Sequence, residues 1–212
     1  MKGLLNYDGP LMRAITLISD MVILNLLWII TSLPIITIGA STTAAYYACT
    51  KRINGKESYI WKDFFKSFRQ NFKQATVVWL VWNAAIGLLM FGVEHGIYGD
   101  FANIVYPIIF FMFIELGFFI AYVFPIMSRF NVGYRQLIKN TLYMAHRHLL
   151  TTLGLAFSLA FVAATIFTFE IGQAVLVVLF LGISFYIYLS SLLFLNVFKK
   201  YAPELDSDEN TH

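Results

Sequence analysis

The sequence predicts an all-α fold: a polytopic transmembrane helix bundle of six spans, with an interfacial amphipathic helix after the second span. Three observations lead there. Of 212 residues, 59% are hydrophobic and 13% charged, whereas a soluble domain carries about 25% charged residues. Apolar runs long enough for about 30 Å of hydrocarbon recur along the chain, and its mean hydropathy is +0.71. The 15 Lys and Arg residues are segregated: Lys2 and Arg13, seven in 51–73, four in 129–147, and Lys199 with Lys200. The loops near 34, 94–100 and 170 contain none. With six spans every base falls on one side, which places both termini in the cytoplasm by the positive-inside rule.

Residues 1–200 read as one transmembrane helical domain, opened by a short arm, MKGLLNYDGPLMRA. The first span, about 15–33, has Asp20 near its start and Asn25 within it. Bases ahead of an apolar run also fit a secretory signal, with Gly39, Ala40, Ala44 and Ala45 as small residues for a cleavage site. The run is long for a signal core, and a second apolar stretch follows at once, which favours an uncleaved helix. Pro34 opens the second span, 34–50. Residues 34–49 reach only about 24 Å at ~1.5 Å per residue, short for a full crossing. Their centre, Gly39-Ala40-Ser41-Thr42-Thr43, permits close backbone approach, and the hydroxyls can bond across helices. A tight hairpin with the first span and the lining of a pore or ligand site are both open readings.

After a turn at Asn54-Gly55, residues 57–73 form the interfacial helix. At ~100° per residue, Ile60, Trp61, Phe64, Phe65, Phe68 and Phe72 share an arc of roughly 140°, with Lys62, Lys66, Arg69 and Lys73 centred well away from it. Aromatics against bases suit a helix in the headgroup plane of an anionic leaflet. Docking to a cytoplasmic partner and packing within the protein are the alternatives.

The third span, 75–93, contains Trp79, Trp82 and Asn83, and a base-free loop with Glu94, His95 and Asp100 follows. The fourth, 103–127, lies in an almost wholly apolar stretch and holds a lone acid, Glu115, at its middle. Pro107 and Pro125 are expected to bend or end it near its edges. In the next stretch Tyr134, Leu137, Ile138 and Leu142 share a face apart from Arg135 and Lys139: a second amphipathic helix, or an extension of the fifth span, 149–169. A short turn at Glu170 leads to the sixth, 172–198. Residues 201–212 are polar, acidic and expected to be a disordered cytoplasmic tail.

An ionised Glu turned to lipid is costly, so Glu115 is expected to face the bundle and bond a polar neighbour. Asn25, Asn83 and the hydroxyls of Ser41, Thr42 and Thr43 are the candidates, together forming an intramembrane polar site. Structural bonding, ligand binding and proton or ion coupling remain as its possible roles. The lone cysteine, Cys49, excludes an intrachain disulfide and a Cys-rich metal site. His146 and His148 are two apart, which points them away from each other on a helix: a poor metal pair and a good membrane-edge cluster. No HExxH, G-x-S-x-G or glycine-rich phosphate loop occurs. No enzyme activity, metal, cofactor or nucleic-acid partner is expected. The two halves do not repeat one another, which weakens a self-sufficient alternating-access carrier.

NYDGPLMR, SLPIITIGASTTAAYY and DFFKSFRQNFKQAT together resemble the YesL-type family of small bacterial membrane proteins of unknown function. The resemblance covers essentially the whole chain and is most specific in the first 75 residues. It implies a bacterial cell-membrane location and an accessory role beside oligosaccharide importers or membrane sensors in the use of plant polysaccharides. Three readings follow: an accessory protein docking to such an assembly, a small transporter or channel-like subunit for a polar solute, and an assembly factor. The family has no known active residues to carry over.

Overall fold

The computed structural model of the chain describes residues 10–55, 59–96, 99–155, 157 and 182–201. Among them every regular element is helical. Helix α1 spans Pro10–Ser32 and opens on a proline, whose missing N–H costs nothing in a first turn. Pro34 cannot continue the helix, so the chain turns through a single 3₁₀ turn, Ile35–Thr37, into α2, Ile38–Ile53. The Thr37 hydroxyl donates to the carbonyls of Thr31 and Pro34 (2.5 and 2.6 Å), which stitches this hairpin closed. At the other end of α2, Gly55 takes a left-handed φ of 73° just past Asn54, the usual stop for a helix.

Helix α3 runs without a break from Ile60 to Glu94, 35 residues. The separate interfacial helix and third span expected from the sequence are therefore one rod, about 52 Å long. No Gly or Pro separates Lys73 from Ala75, and the buried stripe Phe64, Ser67, Ala75, Val78 carries over the junction at helical spacing. Helix α4, Ala102–Arg129, likewise passes through both prolines instead of ending at them. Each proline removes one backbone donor, and a long apolar helix tolerates such gaps when neighbouring groups satisfy the freed carbonyls. An extended linker leads to α5, Tyr134–Arg147; residues 149–155 are helical after a break at His148. The last described helix, α6, is Ile183–Tyr201. Most of the expected fifth span, the start of the sixth, residues 57 and 58 and the tail beyond 201 lie outside the described residues.

Among the described residues, three helices are long and apolar enough to cross a membrane: Ala14–Ser32 in α1, Ile60–Glu94 and Ala102–Arg129. Yet the most apolar of the described helices is not the buried one. The N-terminal half of α4 exposes Ile104, Phe110 and Phe111, at 64–67%. The centre of the bundle is α2, ten of whose sixteen residues are buried, most of them Gly, Ala, Ser or Thr. With lipid as solvent, exposed apolar side chains carry no penalty, and helices associate where small residues let backbones approach. Gly39 shows how close: a β-carbon there would stand 2.6 Å from the Ala75 carbonyl and 2.9 Å from Trp79 Cβ.

Cross-links fix the relative heights. Lys51 meets Asp63, Gly39 lies against Ala75, and the Trp79 indole donates to the Ile35 carbonyl (2.9 Å). The hairpin tip therefore stands level with Trp79, fifteen residues or about 22 Å short of the end of α3. The turns near 34 and 94–100, expected at a common face, differ in height by that amount. At the tip, Leu33 and Ile35 are more than 70% exposed.

Candidate functional site

The six residues expected to form one intramembrane polar site occupy four separate places. Asn25 is fully buried, and its Oδ1 accepts from the Ser184 backbone N–H (3.1 Å), pinning α1 to α6. Ser41, Thr42 and Thr43 hold the hairpin. Ser41 shares a hydrogen bond with the Thr31 hydroxyl (2.9 Å), and Thr42 accepts from the Trp28 indole (3.0 Å). Thr43 donates back to the Gly39 carbonyl (2.9 Å). Asn83 is exposed and donates to the Trp79 carbonyl one turn earlier (2.8 Å). These bonds satisfy polar groups and fasten helices.

Glu115 has none of them as a partner. Its Oε1 accepts from His146 Nε2 at 3.1 Å, with both side chains about half exposed. The other ring nitrogen, Nδ1, donates to the Leu142 carbonyl (2.8 Å). Only a doubly protonated ring donates from both nitrogens. The Leu142 carbonyl and then the Glu115 carboxylate accordingly hold the imidazole pKa above its usual value. The sequence reading compared His146 only with His148; the informative comparison was between a lone acid in one helix and a base in the next.

Two further ion pairs close the other end of α2. Lys51 Nζ lies 2.7 Å from Asp63 Oδ1, and Arg52 Nε lies 2.6 Å from Asp20 Oδ2. The α2 macrodipole favours its two terminal bases, and Asp63 in the first turn of α3 benefits in the opposite sense. This charged end carries the aromatic–basic surface expected of 57–73. Phe64 is fully buried and Phe68 half-buried, whereas Trp61, Phe65 and Phe72 stay exposed beside Lys62, Lys66, Arg69 and Lys73. Lys62 Nζ stands 4.7 Å from the Tyr59 ring centre and 5.5 Å from that of Trp61. The predicted apolar arc thus divides into an inward row and an outward one.

Beside this end lies a polar pocket of about 400 Å³, which the sequence reading missed. Tyr47 of α2, Gln70 and Asn71 of α3, Ser128 and Arg129 at the end of α4, and Asn131 of the linker line it. Gln74 holds the linker in place by donating to the Val132 carbonyl (2.8 Å). No carboxylate is among the lining residues. Amides, hydroxyls and one guanidinium suit the binding of a polar or anionic small molecule.

Residues 21–93 match the model of a family described as "Protein of unknown function, DUF624". That stretch holds the C-terminal half of α1, the hairpin turn, all of α2 and nearly all of α3. The match therefore takes in the packing of α2 against α3 and the Lys51–Asp63 pair. No curated protein and no solved structure matches the chain.

Proposed function

We propose that the protein is a multi-pass accessory component of a bacterial cell membrane, with both termini cytoplasmic. In this reading it docks to a larger assembly for the uptake or sensing of plant-polysaccharide-derived oligosaccharides. The observation that carries the docking role is the outward row Tyr59, Trp61, Phe65 and Phe72, exposed among four exposed bases. Large aromatics and basic residues suit contact with a partner protein or with anionic headgroups. The sugar context rests on the family resemblance.

The base segregation supports this orientation however deep the α1–α2 hairpin reaches. A hairpin returns both ends to the side it left, so a short α2 leaves Arg13 and Lys51 on one face. With the hairpin counted as two passes, the arrangement has six.

A second reading, a small transporter or channel-like subunit for a polar solute, draws support from the 400 Å³ polar pocket. Neither reading involves catalysis. Mild-detergent purification from native membranes, with the wild type beside a Lys62→Glu/Lys66→Glu/Arg69→Glu variant, separates them. Docking predicts membrane transport or sensor subunits that copurify with the wild type alone. Purification of the wild type without any partner, together with solute uptake by proteoliposomes of the pure protein, replaces it with the second.

A further inference from the structure

We propose that the cleft between α3, α4 and α5 is a binding site for one anionic phospholipid, its acyl chain in an apolar groove and its phosphate on α5. Two adjoining depressions share Tyr134 as their common wall. The first is a groove of about 250 Å³ lined by Val77, Val81 and Ala85 of α3, Phe119 of α4, and Tyr134 and Ile138 of α5, among others. Its lining is almost wholly apolar, and the one indole N–H there, of Trp82, is already donated to the Leu116 carbonyl (3.0 Å). Nothing in the groove requires water or a polar ligand.

The second depression is a shelf formed by Gly133, Tyr134, Arg135, Gln136, Lys139 and Asn140. Arg135 and Lys139 are one helical turn apart, so they project from the same side of α5. Both are exposed, and no carboxylate lines the shelf. Two cations with two amides fit a phosphodiester, which offers charge and acceptor oxygens but no donors.

Among occupants of an apolar groove, a lipid chain fits best. The groove opens among lipid-type surface: Val77, Leu80 and Val81 are 45–63% exposed. The charge complementarity of the shelf selects an anionic headgroup over a zwitterionic one, as basic pockets beside membrane helices do. The site is separate from the aromatic–basic row of α3 and from the polar pocket at the charged end.

The test uses the full chain in neutral detergent, followed by native mass spectrometry and thermal melts. The probes are phosphatidylglycerol, phosphatidylcholine and glycerol 3-phosphate. One phosphatidylglycerol should be retained per chain and raise the melting midpoint, with phosphatidylcholine weaker and glycerol 3-phosphate inert. Arg135→Gln/Lys139→Gln should reduce the preference for phosphatidylglycerol over phosphatidylcholine on the order of tenfold. Val81→Trp, which fills the groove from an exposed position, should reduce retention of both lipids while leaving the lipid-free melt unchanged. Equal retention of the two lipids by the wild type would overturn the proposal. So would unchanged retention in both variants, stabilisation by glycerol 3-phosphate alone, or a second copy of the chain taking the place of lipid.

Discussion

His146 donates to Glu115 across the gap between α5 and α4, Nε2 to Oε1 at 3.1 Å. The lone acid of an almost wholly apolar helix is thus satisfied by a base at the end of a polar one. The same ring donates to the Leu142 carbonyl (2.8 Å), so both bonds require the protonated imidazole.

Stability should depend on pH through this pair. The folded-state pKa of His146 is raised, so its contribution is fully present below the ordinary histidine value of about 6.5. It is lost as pH rises through the raised value. The difference in melting midpoint between the wild type and His146→Gln should be largest near pH 6 and disappear in alkaline buffer. The pair is half exposed, so the effect should stay below about 1 kcal/mol. Glu115→Gln should reduce the pH dependence without abolishing it, because the Leu142 carbonyl, the larger cause, still accepts from the ring. A difference independent of pH would reject the ion pair.

Gly39→Ala should be among the most damaging single changes in α2. Its β-carbon would press on the Ala75 carbonyl, which is backbone and cannot turn aside. A loss of about 1–3 kcal/mol is expected from such overpacking. Gly117→Ala is the control: it has open space around it, and alanine is the better helix former. Equal melts for the two variants would show that α2 and α3 do not approach so closely.

Lys51→Met should destabilise more than Asp63→Asn. The Asp63 side chain is 9% exposed against 23% for Lys51, so removing the lysine takes a counter-charge from the less accessible partner. A double-mutant cycle in thermal or denaturant unfolding should return a coupling of about 1–2 kcal/mol. No coupling would mean the contact does not bind α2 to α3.

Reporter fusions after Lys73, Asp100, Arg147 and Lys200 should read inside, outside, inside, inside. The motive is the placement of all 15 bases in segments assigned to one side. An external signal after Lys73 or Arg147 would refute the proposed topology.

Local chemistry made several features legible in advance. Pro34 and Asn54-Gly55 mark the ends of α1 and α2, and the small residues from Gly39 to Thr43 announced a close approach. What escaped the sequence depends on contacts between distant segments. The continuity of α3 required weighing two chemically unlike halves as one rod, since periodicity alone separated the amphipathic half from the apolar one. Hydropathy pointed to α4 as the organising helix, although apolar character in lipid marks exposure as readily as burial. Glu115 was paired with polar groups inside other apolar runs, but its partner lies at the end of a polar helix that composition had assigned elsewhere. The polar pocket gathers Tyr47, Asn71 and Arg129 from three helices, and no spacing in the chain announces it.

The central claim is that the outward row of α3 meets a partner protein. The direct measurement is a photo-crosslinking amino acid placed at Phe65 and, for comparison, at Leu88, which is exposed on the apolar half of the same helix. After illumination of native membranes, the account predicts a discrete protein adduct from Phe65, identified as a membrane transport or sensor subunit, and lipid adducts alone from Leu88. Lipid adducts alone from both positions would contradict it.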